Sequence, residues 1–204
     1  MTHVQIPCEV YARLAAVALA PRGPTIHNEW FKSIRLDGNC AVACNGPILA
    51  VERLDTIAAA PVHVVITDAL IEQCRKEAGF KSSLFVSSNP ALQFASAKTT
   101  MGYSYPGNAC IWSKQENKLD KWRSVVPTKL PTKSKGGMFM NAELIAILGA
   151  SSPSGRIVFA EHIERGTPTL IRDTYDDRWF GMWNPSGCDG DPEFDAATVP
   201  GWFK

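Results

Sequence analysis

The sequence has no CxxC pair, no GxxxxGK[ST] loop and no GxGxxG opening a helical stretch, so the paired-cysteine and nucleotide-binding signatures are missing. It has almost no net charge, 21 Lys plus Arg against 20 Asp plus Glu, which argues by itself for neither nucleic acid nor a membrane surface. No apolar run approaches the roughly 20 residues of a spanning helix. The start, MTHVQIPCEV, lacks the charged and apolar regions of a signal peptide. The cysteines at 8, 40, 44, 74, 110 and 188 are scattered through apolar patterns and read as reduced core thiols, which places the chain in the cytoplasm. His3, His27, His63 and His162 lie in separate segments with no Cys, Asp or Glu at ligand or triad spacing. Surface or hydrogen-bonded core roles are expected for them, with no catalytic centre, metal or cofactor.

What is present is uneven. Cys110 to Gly137 holds seven bases (Lys114, Lys118, Lys121, Arg123, Lys129, Lys133, Lys135) against Glu116 and Asp120. Glu161 to Lys204 holds nine acids against four bases. A basic connector and an acidic end suit different partners. In CDGDPEFD, Asp189, Asp191, Glu193 and Asp195 alternate, but the glycine at the sixth position and the glutamate at the twelfth of a calcium loop are missing, so a solvated acidic segment is expected. It is followed by VPGWFK, whose two aromatics suit a peptide ligand.

Periodicity gives the architecture. VQIPCEVYARLAAVAL, VVITDALIEQCRKEAG and MFMNAELIAILGA each read as a short strand followed by an amphipathic helix, with Val10, Leu70 and Leu144 at one offset and Leu14, Cys74 and Leu148 four residues on. Thr67 and Asn141 are N-caps, and Gly79 and Gly149 are stops. Three strand-like runs follow each helix. In the first unit these are WFKSIRL, NCAVACN and ILAVERL, with turns at Asp37-Gly38 and Asn45-Gly46-Pro47. The pattern is βαβββ three times, an α+β fold with helices packed on antiparallel sheets.

Three segments are more specific than the pattern. VACNGPILAV, LDKWRSVVP (Leu119 to Pro127) and WFGMWNP resemble, in order, the strand-turn-strand, the aromatic-Arg-x-Val-x-Pro connector and the Met-bearing last strand of bacterial sliding clamps, the DNA polymerase III beta subunit family. The resemblance implies a clamp-like domain of two units at 1–127, a half domain at 128–186 and an acidic C-terminal tail at 187–204. It covers the clamp's middle domain and the second half of its last domain. A clamp ring has twelve such units, so closure here would need four copies of the chain or a host clamp.

The resemblance also implies a pocket for short linear peptides of polymerases and repair proteins, formed by Phe31, Cys44, Gly46, Pro47, Ile48, Leu49, Ser124, Val125, Phe180 and Met182. Cys44 and Asn45 replace the family's Thr and Asp, Pro47 and Ile48 its His and Arg, and Ser124 an Arg. The expected pocket is more apolar and its peptide different. On residue type alone, Leu49, Val125 and Met182 fit a core equally well. Arg13, Arg22, Arg75, Lys76, Lys81 and Lys121 are the implied contacts to duplex DNA, although the third helix carries no base. Two functions remain open: a processivity factor or docking platform of DNA replication, and a decoy or regulator from a phage or other mobile element that binds clamp partners or a host clamp away from DNA.

Overall fold

The computed structural model describes residues 2–21, 32–89, 94–99, 110–111, 118–127, 141–160 and 167–184. In chain order these form β1 (Thr2–Pro7), α1 (Cys8–Ala18), β2 (Ser33–Cys44), β3 (Ile48–Val65), α2 (Asp68–Ala78), β4 (Ser83–Asn89), β5 (Phe94–Thr99), β6 (Cys110–Ile111), a 3-10 turn (Lys118–Lys121) running into the short α3 (Trp122–Val125), α4 (Ala142–Ser151), β7 (Ile157–Phe159), β8 (Thr169–Asp173) and β9 (Trp179–Trp183). All strand pairs are antiparallel, in the order β1-β4-β5-β6-β3-β9-β8-β7, with β2 also on β3. The fold is the expected α+β arrangement of helices on antiparallel sheet. No described helix is long and apolar enough to cross a membrane.

The units join more intimately than expected. Asp37-Gly38 is not a turn: β2 runs through it, with register shifts on either side of Gly38, whose φ is 59°. A glycine takes that left-handed conformation without the Cβ clash and so makes a bulge in a continuous strand. The far half of β3 is also the opening strand of the second unit, so β2 and β3 tie the first two units together. Cys110 pairs with Val64 on that same half.

The N-caps behave as expected. Thr67 Oγ1 accepts from Leu70 N at 3.3 Å, and Asn141 Oδ1 accepts from Glu143 N at 2.9 Å. Gly149 is not a stop, because α4 continues to Ser151. The helix ends at Ser151, and its C-cap Ser152 is extended because it precedes Pro153, and a residue before proline avoids the helical region.

Strand alternation assigns each face of the sheet a core. Ala41, Ala43, Ile48, Ala50, Trp179 and Trp183 join α1, α2 and α4 in the larger one. Cys40, Val42, Leu49, Val51, Leu170, Phe180 and Met182 face the other way, into a second core closed by Leu119, Trp122 and Val126. Burial on both faces explains why VACNGPILAV and WFGMW read as almost unbroken apolar runs.

Two positions carry tests of this packing. A Cβ on Gly181 would lie 2.8 Å from the Trp179 ring and 3.1 Å from Leu148 Cδ2. Gly181→Ala is therefore expected to lose about 1–3 kcal/mol by overpacking, read from urea unfolding. Asp173, only 4% exposed, accepts from Ser152 Oγ (2.5 Å), Ser154 Oγ and N (2.8 Å each), Tyr175 N (2.8 Å) and Asp176 N (3.0 Å). Burial pushes this carboxyl up, but the hydrogen bonds from Ser152, Ser154 and Tyr175 outweigh it and hold the group at about 2. A depressed carboxyl stabilises the fold above its ordinary value of 3.8 and loses that contribution as pH falls towards 2. Asp173→Asn should cost about 2 kcal/mol at pH 7 and flatten the acid limb of the stability profile between these values.

Candidate functional site

The site begins with a tight turn. Asn45, fully buried, accepts from Ile48 N through Oδ1 and donates through Nδ2 to Ala20 O, both at 3.3 Å, while its backbone N–H donates to Ile48 O at 3.1 Å. Gly46 follows with φ 105°, which a side chain would strain. The turn presents Gly46 and Pro47 at the end of the sheet and sets the pairing Cys44↔Leu49. Register then carries the row onward: Leu49 pairs with Met182, and Met182 with Leu170. Four side chains thus lie side by side on the face away from the helices, at the roughly 4.8 Å spacing of neighbouring strands.

The connector is the wall. Trp122 is 1% exposed and donates from Nε1 to Asp37 Oδ2 at 2.9 Å, on the bulge of β2. Arg123 stacks over the indole at 4.5 Å from the ring centroid, with its Nε 3.5 Å from Asp37 Oδ2. Asp120 pairs with Arg35 and lies 3.0 Å from His63 Nε2. Burial lowers the His63 pKa, against the hydrogen bond that the ring gives to Asp120, which raises it. His63 is thus a hydrogen-bonded residue between β2, β3 and the connector.

Between turn, connector and last strands lies a hollow of about 200 Å³, lined by Cys44, Gly46, Pro47, Ile48, Leu49, Leu119, Trp122, Val125, Pro168, Met182 and Asn184. Seven of the ten residues expected from sequence line it: Cys44, Gly46, Pro47, Ile48, Leu49, Val125 and Met182. Phe180 lies in the core beneath, fully buried. Ser124 is turned away, its exposed hydroxyl donating to Lys121 O at 2.7 Å. Phe31 lies outside the described residues. Sequence reasoning overlooked Leu119, Trp122, Pro168 and Asn184. The first two sit three residues apart in LDKWRSVVP, the spacing of one helical face, and that signal was available. Nothing in the sequence marked Pro168 or Asn184.

Leu49 and Met182 are 4% and 3% exposed, whereas Val125 is 49% exposed. The choice between core and pocket therefore divides by residue: Leu49 and Met182 are core side chains whose tips form a floor, and Val125 is rim. The hollow is apolar, and apolar side chains of a partner are what it suits.

The residues expected to touch DNA differ in their surroundings. Arg13 on α1 is bound to Glu52 through Nη2, at 2.8 and 3.0 Å to the two carboxylate oxygens. Lys76 pairs with Glu72 at 2.7 Å. Arg75 is exposed on α2, and Lys81, also exposed, follows that helix with φ 53°. Lys121 is exposed on the connector. Arg22 lies outside the described residues.

No protein-family model matches the sequence, and no curated protein sequence matches it. Solved structures do match, and the class is consistent: the fold is that of the bacterial sliding clamp. The DNA polymerase III subunit beta of Pseudomonas aeruginosa superposes with a TM-score of 0.60 at 12% identity, covering 91% of this chain and 66% of that one. The Helicobacter pylori beta clamp, solved bound to a DNA ligase peptide, gives 0.55 at 10% identity over 92% of this chain and 66% of its own. The DNA polymerase III beta subunit of Thermotoga maritima gives 0.55 at 9% identity, with the same coverage. The chain thus spans just under two thirds of the length of these clamps.

Proposed function

We propose that this chain is a docking protein of DNA replication or repair, which uses the hollow beside Trp122 to hold short peptides of polymerase or repair partners. The observation that carries this reading is the convergence of turn, connector and last strand on one apolar hollow, in a fold whose Helicobacter pylori representative was solved with a DNA ligase peptide. The protein has no chemistry of its own in this account. Affinity comes from burying one or two apolar side chains, at roughly 1.5–3 kcal/mol each, with backbone contacts adding to this. Pro47 and Ile48, where the resemblance places a His and an Arg, favour a peptide with apolar rather than acidic side chains against the turn.

The helices favour a second reading, in which partners are held away from DNA. The three long helices carry three bases, Arg13, Arg75 and Lys76, against four exposed acids, Glu9, Asp68, Glu72 and Glu143, with Glu77 buried. One of the bases is committed to Glu52. Such a surface has little attraction for phosphates. The two readings separate in a titration of labelled duplex DNA at low and moderate salt. A clamp or platform binds, weakens steeply with salt and weakens further with Lys76→Glu and Lys81→Glu; a decoy or regulator shows no affinity even at low salt.

A further inference from the structure

We propose that the chain's own segment Val199–Lys204, VPGWFK, occupies the hollow in cis and competes with partner peptides. The inference rests on the docking reading above and names a ligand that the chain itself supplies. Three observations carry it. First, Asn184, where the described chain ends after β9, is itself a lining residue of the hollow, and its backbone N–H donates to Pro47 O at 2.7 Å. The segment that follows therefore starts at the rim.

Second, the length suits a return. Fourteen residues, 185 to 198, separate Asn184 from Val199. A chain of that length has a stretched reach of about 45–50 Å, which is enough to bring Val199 back to the origin of the segment. Closure costs grow only slowly with loop length.

Third, chemistry matches at both ends of that loop. Trp202 and Phe203 are adjacent aromatics of the kind that an apolar hollow takes. The linker carries Asp189, Asp191, Glu193 and Asp195 with no base between them. The wall of the hollow belongs to the basic connector, where Lys121 and Arg123 flank Trp122 and are both exposed. Asp37 offsets Arg123, lying 3.5 Å from its Nε, and it is the net positive charge of the connector as a whole that attracts the acidic linker, more weakly as salt rises.

A tether of this length gives an effective concentration of about 1 mM. With an intrinsic dissociation constant of about 100 µM for two apolar anchors, the hollow is about nine-tenths occupied, and an added competitor binds about tenfold more weakly than to an empty hollow.

The test uses the full chain, its Trp202→Ala/Phe203→Ala variant, and a fluorescein-labelled synthetic peptide of residues 196–204, AATVPGWFK, read by anisotropy. The variant is expected to bind the peptide about tenfold more tightly than the wild type, and adding Val125→Asp to the variant should abolish binding. Failure of the variant to bind the peptide, equal binding by both proteins, or binding unaffected by Val125→Asp overturns the proposal. So does a dimer by light scattering that falls apart in the Trp202→Ala/Phe203→Ala variant, since the occupant is then a second copy's segment. A peptide with Leu and Phe anchors that binds both proteins equally, and is blocked by Val125→Asp, overturns cis occupancy while leaving the docking reading intact.

Discussion

Trp122→Ala is expected to destabilise the protein by about 3–5 kcal/mol, among the largest effects of any single truncation in the chain. The indole is buried in the second core beside Leu119, Val126, Phe180 and Met182, so its loss leaves a cavity that the rigid sheet cannot close. The change also leaves Asp37 without the indole N–H and Arg123 without the ring on which it stacks. Because Trp122 holds the connector to β2, the wall of the hollow should loosen with it. Trp122→Phe restores most of the volume but not the hydrogen bond, and should recover more than half of the loss. Urea unfolding of the two variants checks both statements; a Trp122→Ala variant as stable as the wild type would mean that the connector does not pack as described.

Arg13→Ala is the second large effect, at about 2 kcal/mol at pH 8, of which up to about 1.4 kcal/mol appears between pH 5 and pH 8, and that pH dependence is diagnostic. Glu52 is 3% exposed, and Arg13 holds both of its carboxylate oxygens. Burial pushes the Glu52 carboxyl up to about 7, with Arg13 pulling the other way. A raised carboxyl contributes stability that is fully present below its ordinary value of 4.5 and is lost as pH rises through about 7. Without Arg13 nothing nearby on α1 opposes the burial, and the charged form becomes costlier still. The penalty of Arg13→Ala should therefore be small at pH 5, where the carboxyl is neutral, and grow as the pH rises to 8. An Arg13 that served DNA alone would show no such profile, and the variant would melt like the wild type at every pH.

Much of this was legible in the sequence because it depended on period and local chemistry. The three helices, two of their caps and most of the strands follow from spacing. The turn at Asn45-Gly46-Pro47 follows from residue types that have few other uses. The Asp37-Gly38 bulge was not legible, since Asp-Gly has the same chemistry in a hairpin turn as in a bulge, and only the pairing of Leu36 with Val62 on the far half of β3 decides between them. The partner of Arg13 was not legible for a similar reason. A base on a helix is a candidate for phosphate until the fold brings a carboxylate from 39 residues away beside it. The hollow was legible in part: Cys44 to Leu49 and Met182 sit on strands whose alternation fixes their face, whereas Ser124 and Val125 lie in a single short turn of helix whose rotation the sequence does not specify. Pro168 and Asn184 enter only through the register of β8 and β9.

The most direct test of the account is a binding measurement on the rim of the hollow. Val125 is half exposed, so Val125→Asp places a carboxylate at the mouth without burying it in the core, and the melting temperature should stay within about 2 °C of the wild type. Fluorescence anisotropy with a labelled hexapeptide carrying Leu and Phe anchors should show saturable binding to the Trp202→Ala/Phe203→Ala protein, which has no tethered competitor, with a dissociation constant on the order of 100 µM, and about tenfold weaker binding to the wild type. The same titration on that protein carrying Val125→Asp as well should show binding at least tenfold weaker, since an apolar anchor cannot seat against an unpaired charge. Equal binding with and without Val125→Asp, or none by the Trp202→Ala/Phe203→Ala protein up to millimolar protein, would contradict the assignment of the hollow as a peptide site.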